Sequence, residues 1–168
     1  MHDELTAVDI QKMKEELEYR SNVLRRKIIV HVQTARAFGD LSENFEYKAA
    51  KQEKRRNDSR IRYLERMIKT AHVIDGTVTD EGTVGLFDKV TIYMEEDDEE
   101  EVIQLVTTLR QNPLKGLISK ESPVGKAVLG HKIGDRVKVE VNADYSYYVE
   151  IRAIEKGQDD DSMEISRY

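Results

Sequence analysis

Two carboxylates three residues apart, Asp40 and Glu43, lie in the run F-G-D-L-S-E-N-F-E-Y from Phe38 to Tyr47, and two chemistries suit that spacing. In the first turn of a helix, Asp-x-x-Glu is a capping-box pattern: Asp40 accepts from an exposed backbone N–H and Glu43 reaches back to the cap's own N–H. The same spacing puts both carboxylates on one side of the turn, where they can share a hard divalent cation. Two protein oxygens alone hold magnesium poorly, so a partner would have to bring further carboxylates and phosphate oxygens. On the residues alone both readings stand.

Little else in the chain offers chemistry. There is no cysteine, hence no disulfide framework, thiolate metal site or thiol nucleophile. Of the four histidines, His2, His72 and His131 lack partners at ligand spacing, and His31 falls within a helical pattern. The acidic run Glu95 to Glu101 lacks the glycine-punctuated spacing of a calcium loop and reads as a solvated turn. No cofactor of the chain's own is expected.

The elements that must position the two acids are long. Val8 to Ala37 and Asn44 to Val73 contain neither proline nor glycine. Ile10, Leu17 and Leu24 fall seven apart, with Met13 and Ile28 between the heptads. Downstream, Tyr47, Ile61 and Ile68 interleave with Ala50, Leu64 and Ala71. Two facing helices with a bend at Gly39 follow, the glycine supplying the positive φ that a helix C-terminus favours. Thr6 is the expected N-cap of the first helix, after a frayed lead-in, and Asp40 is expected to begin the second. A helix of about 30 residues rises roughly 45 Å, which places the turn far from anything packed at the other end. An antiparallel pairing brings His31 near Ala49 or Ala50 and puts Asn57 in the apolar seam, where a polar group fixes register at some cost in stability.

Charge is distributed unevenly. Residues 1–75 carry 16 Lys+Arg against 13 Asp+Glu, whereas residues 76–168 carry 11 against 20. The positive charge comes from the second helix, with nine basic residues against three acidic ones between Lys48 and Lys69. Such a stripe is either a solvated coiled-coil face or an electrostatic track for nucleic acid or an acidic protein channel. No stretch approaches the roughly 18 apolar residues a membrane span needs, and M-H-D-E is neither a signal nor a transit peptide. A soluble, cytoplasmic protein is expected.

After Val73 the pattern changes. Residues 77–85 read as a linker; Leu86 to Met94 and Glu101 to Leu109 read as strands, and Gly116 to Ser119 as a short one. Ser122-Pro123 is an N-cap followed by proline at the first helical position, which predicts a short helix ending at Gly130. Asp135–Val141 and Tyr145–Ile154 form a hairpin. The predicted class is α+β, divided into a helical hairpin over residues 1–75, a small sheet domain over 76–157 and a disordered acidic tail over 158–168.

These segments resemble the Gre family of bacterial transcription elongation factors, the GreA type in particular, from about Leu5 to about Ile154. The stretch A-R-A-F-G-D-L-S-E-N-F-E-Y-K-A-A-K at Ala35–Lys51 holds the family's tip motif, G-D-L-x-E-N-x-E-Y, without a break. A second match is I-S-K-E-S-P-V-G-K-A-V-L-G-H-K-I-G-D at Ile118–Asp135. The resemblance implies an antiparallel coiled coil followed by an FKBP-like domain. It also implies a monomer that docks on bacterial RNA polymerase and sends the coiled coil down the secondary channel to a backtracked RNA 3′ end. Asp40 and Glu43 are then expected to help hold a magnesium ion of the polymerase and position the attacking water, so that the polymerase cleaves the RNA. The factor itself has no active site.

By the same resemblance Ser42, Asn44, Glu46 and Tyr47 shape the tip, Lys51, Lys54, Arg55 and Arg56 face the RNA, and Ser122 and Pro123 belong to the docking segment. For Tyr47 seam packing is an equal alternative, and for Ser122 and Pro123 N-capping is. The start departs from the family's M-T-x-x-G, with Asp9 in place of the glycine; N-A-D-Y-S-Y-Y replaces a P-G-G-type turn, and the acidic tail is an addition. Two other readings carry different expectations. A non-cleaving channel regulator or inhibitor would act without the tip carboxylates, although related inhibitors differ at D-L-S-E. A prolyl isomerase would need an aromatic-lined pocket, for which only Tyr145, Tyr147 and Tyr148 offer themselves.

Overall fold

The computed structural model describes residues 3–39, 44–76 and 80–166, and the chain divides into two compact units. One is the helical stretch Ile10–Ala71; the other combines Asp3–Asp9 with the chain from His72 onward. Residues 3–9 thus belong with the globular unit, where the sequence pattern assigned them to the hairpin. Among the described residues no helix is long and apolar enough to cross a membrane.

In the helical unit, α1 (Ala7–Tyr19) passes through a five-residue π-helical segment, Arg20–Leu24, into α2 (Arg25–Arg36). The first helix is therefore not the uniform α-helix its heptads predict. Its fully buried apolar residues explain the insertion: Met13, Ile28 and Ala35 are spaced 15 and then 7 apart, one residue more than three heptads require. A π turn absorbs one extra residue and returns the apolar stripe to the seam. On α3 (Phe45–Thr70) the buried positions Ala50, Asn57 and Leu64 keep strict heptad spacing, joined by Ile61 and Met67.

A polar cluster occupies the middle of this seam. Arg60, 5% exposed, donates through Nε and an Nη to the two carboxylate oxygens of Glu16 at 2.9 and 3.0 Å. Arg20 donates to Glu16 at 2.7 Å and to the Asn57 side-chain oxygen at 3.0 Å. Asn57 in turn donates to the Arg20 carbonyl at 3.3 Å, at the start of the π segment. Asn57 is buried in the seam, as its position suggests. His31 is not: it is more than half exposed and sits 3.5 Å from Glu53, about a turn beyond the alanines expected to face it.

The globular unit is built on a five-stranded sheet in the order β5-β4-β3-β7-β6, from β3 (Lys89–Met94), β4 (Glu99–Val106), β5 (Leu117–Ser119), β6 (Arg136–Glu140) and β7 (Ser146–Glu155). β5 runs parallel to β4; the other neighbours are antiparallel. Alternating Val137 and Val139, Val90 and Ile92, and Val149 and Ile151 point into one core, together with Ile103, Leu105 and Val128. The short helix α4 (Pro123–Val128) packs on β6. The acidic run is divided between a turn at Glu95–Asp98 and the first residues of β4, and Arg136 forms a two-pronged pair with Glu95 at 2.5 and 2.9 Å. The same unit holds a two-stranded parallel sheet that the sequence pattern does not predict, pairing β1 (Glu4–Thr6) with β2 (His72–Ile74).

The tail is also ordered within this unit, where composition predicts disorder. It is described through Ser166, whose N–H donates to the Leu109 carbonyl at 2.6 Å.

Burial raises the Glu16 pKa, but hydrogen bonds and charge from Arg60 and Arg20 outweigh it and hold the carboxyl below its ordinary value of 4.5. A depressed folded-state pKa stabilises fully above the unfolded value and ceases to do so as pH falls through the folded one. Glu16→Gln should therefore cost about 2–3 kcal/mol near neutral pH, chiefly by leaving the Arg60 charge uncompensated. In urea melts this deficit should shrink as pH drops below about 4; a pH-independent deficit would assign it to packing.

Candidate functional site

The hairpin turn is framed by two short pieces of defined backbone. At the end of α2, Ala37 caps the helix and its N–H donates to the Gln33 and Thr34 carbonyls. Gly39 follows at φ +133°, the open conformation that glycine adopts without strain. Asp40, Leu41, Ser42 and Glu43 lie outside the described residues, and the chain resumes at Asn44.

Asn44 holds the turn from both sides. Its backbone is extended, and its side-chain oxygen accepts the Tyr47 N–H at 3.0 Å, which makes Asn44 the N-cap of α3. Its side-chain amide donates to the Ala35 carbonyl at 2.6 Å, tying the start of α3 to the last turn of α2. α3 thus starts at Phe45 under an asparagine cap, while the start expected at Asp40 with its aspartate–glutamate box lies outside the described residues. Two start signals compete in D-L-S-E-N-F-E-Y, and the long-range bond to Ala35 favours the later one. Asn44 supplies the cap of α3 from within the described residues.

Around the turn, Glu46 is exposed and Tyr47 half-buried, with the Lys51 ammonium 5.2 Å from its ring centre. Seam packing and tip support are thus compatible roles for Tyr47. Lys51, Lys54, Arg55 and Arg56 are all exposed on α3; the Lys54 charge is shared with Asp58 at 3.1 Å. Two phenylalanines flank the turn in solvent, Phe38 at 72% and Phe45 at 80% exposure. They were not singled out in the sequence, although an apolar residue on each side of a charged turn is a legible signal.

The proposed docking residues belong to the other unit. Ser122 Oγ accepts the Gly125 N–H at 3.0 Å and donates to the Ser119 carbonyl at 2.7 Å, while Pro123 occupies the first helical position in solvent. A side chain at Gly125 would meet the Ser119 carbonyl at 2.2 Å, so this loop is tight. Capping accounts for the serine, and the proline is exposed.

Aspartate and glutamate supply the hard oxygens that magnesium takes, but two are fewer than its six-coordinate shell requires. Among the described residues no group of three His, Asp or Glu is arranged to hold a metal ion.

Comparison with known proteins bears on this geometry. Residues 4–73 match the family described as "Transcription elongation factor, N-terminal", and residues 79–156 match "Transcription elongation factor, GreA/GreB, C-term". The transcription elongation factor GreA of Oenococcus oeni is 38% identical over 154 residues, covering 92% of this chain and 95% of that one. Its namesake in Thermoanaerobacter pseudethanolicus is 44% identical over 139 residues, covering 83% and 88%. Among solved structures, GreA factor homolog 1 of Thermus thermophilus is similar at 26% identity, covering 93% of this chain and all of that one, with a TM-score of 0.42.

Removing the Asn44 side chain should remove both ties at once. Asn44→Ala should lower stability by about 1–2 kcal/mol and speed hydrogen exchange at the Tyr47 amide. Asn44→Asp keeps the capping oxygen but not the donor to Ala35, and should fall between. Equal exchange at Tyr47 in Asn44→Ala and the native chain would show that the cap is not made in solution.

Proposed function

The chain belongs to the GreA/GreB family of transcription elongation factors, and from that premise we propose that it binds bacterial RNA polymerase and rescues backtracked complexes by stimulating RNA cleavage. The globular unit docks on the polymerase, through a surface that includes Pro123. The helical hairpin enters the secondary channel, and its turn brings Asp40 and Glu43 to the extruded RNA 3′ end. Asp40 and Glu43 would supply two oxygen ligands to a magnesium ion held by the polymerase. When bound, such an ion lowers the pKa of the attacking water and neutralises charge on the phosphate. The chain contributes two ligands and their placement, and cleaves nothing alone.

The observation that carries this reading is the unbroken G-D-L-S-E-N-F-E-Y at the turn of the hairpin, with the cap of α3 assigned to Asn44. Capping of α3 by Asn44 asks that duty of neither acid, which supports a ligand role for both. Exposed Lys51, Arg55 and Arg56 lie further along the same helix, where positive charge attracts the RNA backbone without reading its sequence.

Neutralising the tip tests the chemistry. Because Asn44 caps the helix, Asp40→Asn and Glu43→Gln should each leave the melting temperature within about 1 °C of the native value. Each should lower stimulated cleavage in stalled complexes by about 100-fold, the scale of losing one positioned electrostatic contact. Cleavage at the native rate in both variants would contradict the proposal; slowed transcription that ignores both substitutions would instead identify a non-cleaving channel regulator.

A further inference from the structure

The globular unit contains a second ionic centre, far from any role given to the tip. Arg110 and Asp9 are both 0% exposed, and Arg110 Nε donates to Asp9 Oδ1 at 2.5 Å. One Arg110 Nη donates to Thr6 Oγ1 at 3.0 Å and to Asp159 Oδ1 at 2.5 Å, and the other to the Asp160 carbonyl at 3.2 Å. The guanidinium lies 4.8 Å from the centre of the buried Phe87 ring. One buried cation therefore binds the N-terminal segment by one edge and the C-terminal tail by the other.

Both ends of this arrangement are built. Thr6 and Asp9 cap the start of α1 reciprocally, the Thr6 N–H donating to Asp9 Oδ2 at 3.1 Å and the Asp9 N–H to Thr6 Oγ1 at 3.4 Å. Thr6 also ends β1, which pairs with β2, so the two passages between the units, after Asp9 and before His72, lie beside one short sheet. The tail enters through Asp88, which is 2% exposed and accepts from Lys156 Nζ at 2.7 Å and the Gly157 N–H at 3.0 Å. A side chain at Gly157 would sit 1.9 Å from the Phe87 carbonyl, and one at Gly76, just after β2, would sit 2.8 Å from Asp159 Oδ2. The tail thus lies against Gly76 as well as Arg110, and Ser166 reaches the Leu109 carbonyl.

We infer that residues 157–166 are a strap that closes over the root of the helical arm, and that Asp159, Arg110 and Asp9 are positioning residues for whatever the arm's far end does. The mechanical reason is leverage. α3 alone has 26 residues and so extends about 39 Å; a 10° swing at its root moves the far end by about 7 Å. Reacting groups tolerate about 0.5 Å, and a 1 Å misplacement can cost about 100-fold in rate. Asp9 and Arg110 form a neutral pair without the tail, so releasing the strap leaves no stranded buried charge and frees the root without unfolding the unit.

The absence of cysteine allows a clean test. Spin labels at Gln52→Cys and Lys138→Cys, both exposed positions on different units, report the distance distribution between arm and globular unit by pulsed electron resonance. Removing residues 158–168, or substituting Asp159→Ala, should at least double its width and raise hydrogen exchange about tenfold or more over residues 3–9 and 72–76. Residues 55–65 should not change, and Asp159→Glu should restore the native width. An unchanged width and unchanged exchange would overturn the inference, as would exchange that rises equally along the arm. Only the consequence for cleavage rests on the proposed function: with a narrow native distribution, the strap variants should lose at least tenfold in cleavage at saturating factor. Loss of the strap without loss of cleavage would deny it a positioning role, whereas a native chain that stimulates no cleavage would refute the function and leave the resonance result standing.

Discussion

Glu16 lies between two guanidinium groups, Arg60 across the seam and Arg20 one turn along its own helix, and the pairing of the hairpin depends on that contact. Apolar heptads alone allow helices to slide by seven residues with little loss, because one leucine or isoleucine replaces another. A buried carboxylate that needs two particular arginines, and an asparagine that needs one particular carbonyl, forbid the slide: every shifted register strands a charge in the seam. With the middle of the hairpin fixed, the last turn of α2 and the start of α3 are brought together as well, where Asn44 reaches the Ala35 carbonyl. The π segment belongs to the same solution, since Asn57 takes the Arg20 carbonyl where the chain absorbs its extra residue.

The helices, the sheet hairpin and the Ser122 cap were legible because each depends on neighbours in sequence. What was not legible depends on partners far away. An extra residue between Met13 and Ile28 resembles ordinary drift in a heptad count until the two are seen buried in one seam. β1 and β2 have three residues each and pair across 68 positions, too short and too distant for any local pattern. The cap at Asn44 goes with its bond to the Ala35 carbonyl, a partner that the run D-L-S-E-N does not reveal. The acidic tail reads as solvated because its counter-ion, Arg110, is 49 residues upstream. Asp9 is a related case: its replacement of a family glycine looked incidental in the sequence, yet it is wholly buried against that same arginine.

Charge is arranged with the same economy. The excess of basic residues on α3 is in part consumed within the helical unit, by Glu16 and Asp58, while Lys51, Arg55 and Arg56 remain exposed. In the sheet domain the acidic excess is met by Arg136 at Glu95 and Arg152 at Glu100, each arginine also lying over a tyrosine ring, Tyr148 and Tyr93. Of the three tyrosines an isomerase pocket would have used, Tyr148 is thus covered by Arg136, while Tyr145 and Tyr147 pack on each other. On the proposed function, attraction to the RNA backbone would fall to the exposed basic residues of α3, and a cation to the two carboxylates of the turn.

Asp40 and Glu43 are proposed to act as ligands, and metal affinity measures this directly. Magnesium titrations of transcript cleavage by stalled polymerase, with and without the chain, give the half-saturating ion concentration in each case. Two added carboxylates should lower that concentration by about tenfold or more. Faster cleavage at an unchanged half-saturating concentration would contradict the account, because the chain would then act on the polymerase without contributing ligands to its ion.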